Sequence, residues 1–168
     1  MLRSILLNLF SLILPVTALI LVPCWIEPQL ARGGEAAFTA GLGLMLIGLL
    51  IMAHTIAAFI VIGRGTLAPW SPTSRLVVSG LYAHVRNPMI LGVIIVLLGE
   101  ALAFGSWRIL AWATAFFAIN TLYFVMLEEP GLEKRFGEDY RRYRQNVPRW
   151  MPRLRPWRGH LRERSRST

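Results

Sequence analysis

The sequence predicts an all-α fold: an integral membrane helical bundle of about four spans, with a cytoplasmic amphipathic helix near the C-terminus. Three observations carry this. Of 168 residues, 55% are hydrophobic, and mean hydropathy is +0.51. A soluble domain of this size could hardly bury so much apolar surface. The apolar residues fall into four runs, at 5–26, 38–62, 88–104 and 107–127, and about 20 helical residues cross a ~30 Å hydrocarbon core. Basic residues crowd the end of the chain: 12 of the 18 Lys/Arg follow Leu127, against 6 of the 9 Asp/Glu. Excess positive charge beside apolar spans marks the cytoplasmic side.

The first run contains Pro15 and Pro23. Leu21-Val-Pro-Cys24 loosely resembles a lipoprotein cleavage site, but Pro23 suits cleavage poorly, so the run reads as a retained span. Cys24 is the only cysteine, which excludes an intrachain disulfide and a cysteine-rich metal site. The second run has His54 as its only ionisable group, expected to bond a neighbouring helix or, less simply, to act directly. Its Gly41, Gly43 and Gly48 fit close helix packing better than a nucleotide loop, since no strand precedes them.

The third run is short and needs flanking residues or local thinning to cross. Only Gly105-Ser106 separates it from the fourth, so the two form a tight antiparallel hairpin. Glu100 is expected to pair with Arg108 across that turn, or to reach the interface. The 63–87 loop carries Arg64, Arg75 and Arg86, whereas the 27–37 loop has no basic surplus. Both termini are therefore expected in the cytoplasm. Trp70, Trp107 and Trp150 fall at predicted membrane boundaries.

Beyond Leu127 the character changes. Leu132, Phe136, Tyr140, Tyr143 and Val147 recur every three or four residues among charged ones. This predicts an amphipathic helix at 132–146, ended by Pro148 and Pro152. Residues 158–168 have no apolar period and read as a disordered basic tail after one domain at 1–157. Net charge is +9. No nucleic-acid motif accompanies it, so the expected partners of the basic tail are anionic lipid head groups, not nucleic acid.

A hairpin returns its ends to one membrane surface. At one end lies the 79–92 motif Ser-Gly-Leu-Tyr-Ala-His-Val-Arg-Asn-Pro-Met-Ile-Leu-Gly; at the other, Glu128-Glu129 and the amphipathic segment. The two carboxylates could pair with tail arginines, or one could line a cavity and bind hydroxyls or an amine. Neighbours on a helix point apart, so only one should face a site. Pro88 suits the first helical turn and Asn87 its N-cap. The helix start leaves N–H groups free for a carboxylate. Tyr82 and Arg86 could be site groups or interfacial anchors. His84 reads as an interface residue, because no second His or Cys lies near it to share a metal.

Ser79-Gly-Leu-Tyr82, Arg86-Asn-Pro-Met89, Gly92, Glu128-Glu129, Phe136-Gly-Glu-Asp-Tyr140, Tyr143 and Val147-Pro-Arg-Trp150 resemble, as an ordered set, the isoprenylcysteine carboxyl methyltransferase and phospholipid methyltransferase superfamily. The resemblance covers about 74–152. It implies a membrane-embedded methyltransferase using S-adenosyl-L-methionine, with the cofactor in a cytoplasm-facing pocket. The residues it implies at the cofactor are Arg75, Leu76, Val77, Tyr82, Asn87, Pro88, Met89, Ile90 and Glu128, closed over by the amphipathic segment. Catalysis would rest on Glu129 as a base for an amine acceptor, together with Arg86. The family commonly has histidine at Asn87 and tyrosine at Ile90, and the prenylcysteine branch has arginine at Phe124. The last difference favours a neutral or amine nucleophile. Expected partners are a hydrophobic or lipid-linked acceptor (phospholipid amine, prenylcysteine-like carboxylate or small thiol) and membrane lipid. The rival reading is a non-catalytic scaffold that binds anionic lipids through its basic tail.

Overall fold

The structure, a computed structural model, describes residues 13–58 and 76–159, and every regular element among them is helical. Helix α1 covers 13–26, α2 Glu35–Ala58, α3 Pro88–Phe104, α4 Trp107–Phe136 and α5 Glu138–Asn146. A 3₁₀ turn at Gly80–Ala83 precedes α3. Helices α2 and α4 are long and apolar enough to cross a membrane; Thr17–Ile26 and α3 are apolar but shorter. The second predicted run begins slightly earlier than expected, at Glu35. Its last residues (59–62), Trp70 and residues 160–168 of the expected tail lie outside the described residues, as does the start of the first run.

Proline explains two irregular turns. Helix α1 widens to a π-helical turn at Thr17–Leu21, in which the N–H of Val22 bonds the carbonyl of Thr17. In that wider register Ala18 would take its bond from Pro23, which has no N–H. The indole of Trp112 on α4 fills the gap, donating to the Ala18 carbonyl at 2.9 Å. In α4, Pro130 again withholds a donor, and the ladder widens at Phe124–Glu128, with Glu129 N–H bonding the carbonyl of Phe124. This corrects the expected end of the fourth helix at 127. The chain stays helical through the twin acids, and the wider turn shifts the phase of every residue after it.

The predicted 132–146 helix is likewise corrected. It is two pieces, broken at Gly137 (φ 56°, ψ −126°), a backbone state that residues with a Cβ rarely adopt. The first piece belongs to α4 and the second is α5. The apolar stripe survives the break: Tyr140, Tyr143 and Val147 are buried against Leu132, Phe136, Leu76, Val78 and Trp157.

The core lies between α2 and α3, with Met52, Val93, Val96 and Leu97 meeting Ala18 and Ala113. Close approach demands glycine here. A Cβ on Gly41 would sit 2.5 Å from the carbonyl oxygen of Gly99, and one on Gly48 2.6 Å from that of Gly92. Gly43 faces open space and takes no part in this packing, contrary to the expectation for all three. The hairpin turn forms as predicted. Gly105 is left-handed (φ 60°), and Ser106 caps α4 by accepting from the N–H of Ile109 at 3.3 Å.

Two further expectations are corrected. Glu100 is turned into the bundle, 7% exposed, and reaches neither Arg108 nor the interface. Arg108 instead faces Glu27 at 3.6 Å, while Ser106 donates to the same carboxylate at 2.7 Å. His54 is exposed, and its Nε2 stands 3.1 Å from where a Gly80 Cβ would be. It therefore lies against the segment before α3, not in a bond between spans.

Candidate active site

The site is built where the segment before α3, the end of α4 and the chain after α5 converge. Gly80, with φ 62°, lets the chain enter the 3₁₀ turn. The C-terminal strap, residues 147–157, then crosses this segment on backbone bonds. Arg86 N–H donates to the Pro148 carbonyl at 2.9 Å, Arg153 N–H to that of His84 at 3.0 Å, and Trp157 N–H to that of Ala83 at 2.9 Å. Tyr143, on the buried face of α5, donates its hydroxyl to the Tyr82 carbonyl at 2.7 Å. Polar backbone that would otherwise be buried unpaired is satisfied by these bonds, and they hold the strap in one register.

The charges sit within this frame. Glu129 is 6% exposed and accepts from Arg86 Nη1 at 2.7 Å. Arg149, on the strap, adds two bonds: Nε to Oε1 at 2.7 Å and Nη2 to Oε2 at 3.0 Å. A buried carboxylate requires such compensation, and the fork geometry of guanidinium matches both oxygens. Hydrogen bonding to Glu129 raises Arg149 above its ordinary value. Trp150 continues the wall, its ring 5.2 Å from Phe117 and 5.9 Å from Phe124.

Glu128 faces differently. Burial raises the Tyr82 phenol well above its usual range, and the charges of Tyr143 and Glu128 raise it further. The Glu128 carboxylate thus lies close to Tyr82. Tyr140 is raised by burial and then by Glu129, with a hydrogen bond from Arg86 opposing. The two adjacent acids are therefore in different company, one between two guanidiniums and one beside a phenol.

Of the residues expected from sequence, the fold gathers Tyr82, Arg86, Glu128 and Glu129 around this junction. Val77 is buried, and Leu76 packs on the tyrosine cluster. Asn87 occupies the N-cap position, but its side chain makes no capping bond, which corrects the expected cap. Its ψ of 62° lies outside the extended region usual at that position. Pro88 is buried in the first turn, with Met89 and Ile90 half-buried after it. Arg75 lies outside the described residues. Sequence reasoning missed Arg149 and the two buried tyrosines as parts of the site. The phase shift at Pro130 was signalled by that proline alone.

Behind the first turn of α3 lies an apolar groove of about 210 Å³, lined by Ile51, Leu81, His84, Val85, Pro88, Leu91 and Pro152. Among the described residues of its wall, His84 is the ionisable one. The His84 Nδ1 lies 2.7 Å from the carbonyl oxygen of Arg153. A carbonyl only accepts, so Nδ1 carries the proton.

Glu128 brings a carboxylate near enough to the Tyr82 phenol to act on it electrostatically. The Met89 and Ile90 N–H groups, at the start of α3, have no carbonyl one turn earlier within the helix. Such donors suit a carboxylate. No curated protein and no solved structure matches the chain. The family model for phospholipid methyltransferases matches residues 36–139, which include α2, α3, α4 and the twin acids. The chain belongs to the phospholipid methyltransferase family and is a membrane methyltransferase.

Proposed function

We propose that the protein moves a methyl group from S-adenosyl-L-methionine to a hydrophobic or lipid-linked acceptor at the cytoplasmic face of the membrane. One observation carries this reading: the Arg86–Glu129–Arg149 ion pairs tie the start of α3 to the end of α4, beside the free acid Glu128. The cofactor, when bound, supplies an already activated methyl group, so the protein's task is binding, alignment and exclusion of water. Glu128 and Tyr82 would hold the cationic end, with Asn87, Pro88, Met89 and Ile90 along the first turn of α3. Arg75, Leu76 and Val77 would complete the pocket. Arg86 and Glu129 act as one unit that fixes the geometry. With both oxygens bonded to guanidinium, Glu129 is better suited to this than to taking a proton.

Calorimetry of detergent-purified protein with S-adenosyl-L-methionine tests the reading. Saturable binding is expected, weakened by Glu128→Ala. Folded protein that gives no heat at millimolar cofactor would overturn it and leave the lipid-binding scaffold.

A further inference from the structure

The strap that crosses the site also has an outer surface, and its chemistry matches a negatively charged bilayer. We propose that residues 151–158 seat in an anionic leaflet around the bundle, with Met151 and Leu154 among the lipid chains and Arg155 and Arg158 on lipid phosphates. This goes beyond the methyltransferase reading and stands whether or not the protein binds cofactor.

Trp150 sets the height of the strap. Its ring packs on Phe117 and Phe124, both inside the apolar run 107–127. Around them α4 exposes Ile119, Leu122, Met126 and Leu127, an apolar face that suits lipid. The strap therefore starts at the membrane boundary, where indole rings favour residence. Met151, the next residue, is 79% exposed, and Leu154 98%. Leu154 is not the tip of a loose loop. It stands between two backbone bonds, from Arg153 N–H to the His84 carbonyl and from Trp157 N–H to the Ala83 carbonyl, and Trp157 packs against Tyr143. A leucine held out in this way is unfavourable in water and favourable at the boundary between head groups and acyl chains.

Charge selects the kind of surface. Residues 147–159 hold four arginines and no acid. Arg149 is committed to Glu129, and Arg153 Nη1 donates to the Asn146 carbonyl at 2.6 Å. Arg155 and Arg158 are exposed, and neither meets an acid among the described residues. The arginines of α5 differ: Arg141, Arg142 and Arg144 pair with Glu133 or Glu138. Apolar side chains interleaved with uncommitted guanidiniums fit a partner that is apolar inside and negative outside, as an anionic leaflet is. The guanidinium fork matches phosphate oxygens. The bilayer already surrounds α4 beside Trp150, so the strap meets it without recruiting another molecule. Because the strap also carries Arg149 to Glu129, a leaflet that holds 151–158 keeps those ion pairs closed.

A fluorescent probe at Leu154 tests this. Cys24 is the only cysteine, so the full chain with Cys24→Ser and Leu154→Cys carries one thiol for a nitrobenzoxadiazole dye. In nanodiscs made half of phosphatidylglycerol, its emission should shift to the blue and be quenched by doxyl-labelled lipid. In pure phosphatidylcholine that quenching should be several-fold weaker. Salt near ~1 M, which screens charges beyond ~3 Å, should shrink the difference. Arg155→Gln combined with Arg158→Gln should abolish it. Met151→Cys in the same background should report the same pattern, so a fault confined to one labelled position does not decide the outcome. Dyes at both positions that iodide quenches from water, and doxyl lipid does not, would overturn the seating. Equal lipid quenching in neutral and anionic nanodiscs would overturn the role of the arginines. A blue shift produced by inorganic phosphate in neutral nanodiscs would assign them to a free anion instead. One seen only in nanodiscs holding two copies would assign the face to a second chain, and either result would sink the proposal.

Discussion

Arg149 grips both carboxylate oxygens of Glu129 from 20 residues further along the chain, at 2.7 and 3.0 Å. Arg86 reaches the same carboxylate from 43 residues earlier. Three segments thus meet on one buried acid, and the strap is tied by charge as well as by backbone bonds. Two guanidiniums against one carboxylate leave this cluster a surplus of one positive charge.

Removing the acid strands two guanidiniums. Breaking a buried ion pair by deleting one partner costs about 3–5 kcal/mol. Glu129→Gln should therefore lower the thermal midpoint by several degrees. Arg135→Gln, an exposed control on the same helix, should leave it nearly unchanged. Differential scanning fluorimetry in detergent reads both.

Arg149→Met keeps much of the stem but loses the fork. The strap should then detach more often, and tryptic cleavage after Arg153 should accelerate several-fold relative to wild type. Exposed Arg158→Met removes no ion pair and should not change the cleavage rate at that site. Timed digestion with mass spectrometry separates the two.

The twin acids should behave differently toward cofactor. On the proposed function, Glu128→Ala removes an uncommitted carboxylate from beside a cation and should weaken affinity about tenfold, or ~1.4 kcal/mol. Glu129→Ala should act mainly through stability. Equal loss of affinity at matched stability would show that the two are not distinct.

Alkaline pH offers another check. Burial is the first cause that raises Tyr82, Tyr140 and Tyr143 above the usual phenol value of 10.0. Unfolded chains ionise these phenols near that value, while the folded protein keeps its protons. The folded state then binds more protons, so stability is full below about pH 10 and falls as pH rises above it. Absorbance at 295 nm should rise together with loss of helical circular dichroism, not before it. Early ionisation of all the tyrosines in the folded state would contradict the buried cluster.

The α2–α3 contact tests packing. Gly48→Val inserts a branched side chain where even a Cβ meets backbone, and overpacking costs about 1–3 kcal/mol or more. Gly43→Ala, on the open face, should be neutral or slightly stabilising, since alanine favours helix over glycine by up to ~1 kcal/mol. Thermal midpoints should separate the two variants clearly.

Much of the fold follows from local pattern. Apolar runs placed the helices, and the third matches α3 residue for residue. Gly105-Ser106 announced the hairpin, since two residues leave room for nothing else. The spacing of Leu132, Phe136, Tyr140, Tyr143 and Val147 announced a buried face that outlasts the break at Gly137. The paired motifs at 79–92 and 128–152 marked segments that meet, though not which side chains pair.

Direction was decided only by the tertiary structure. A helix period says that Glu128 and Glu129 diverge, but not which one the arginines take; the wider turn before Pro130 and the arrival of Arg149 settled that. Glu100 and Arg108 looked like partners because sequence shows nearness along the chain. Packing of the bundle buried the first and left the second to Glu27. Apolar periodicity is a local property that each segment carries with it. The choice of ionic partner depends on distances between segments, which exist only once the helices have packed.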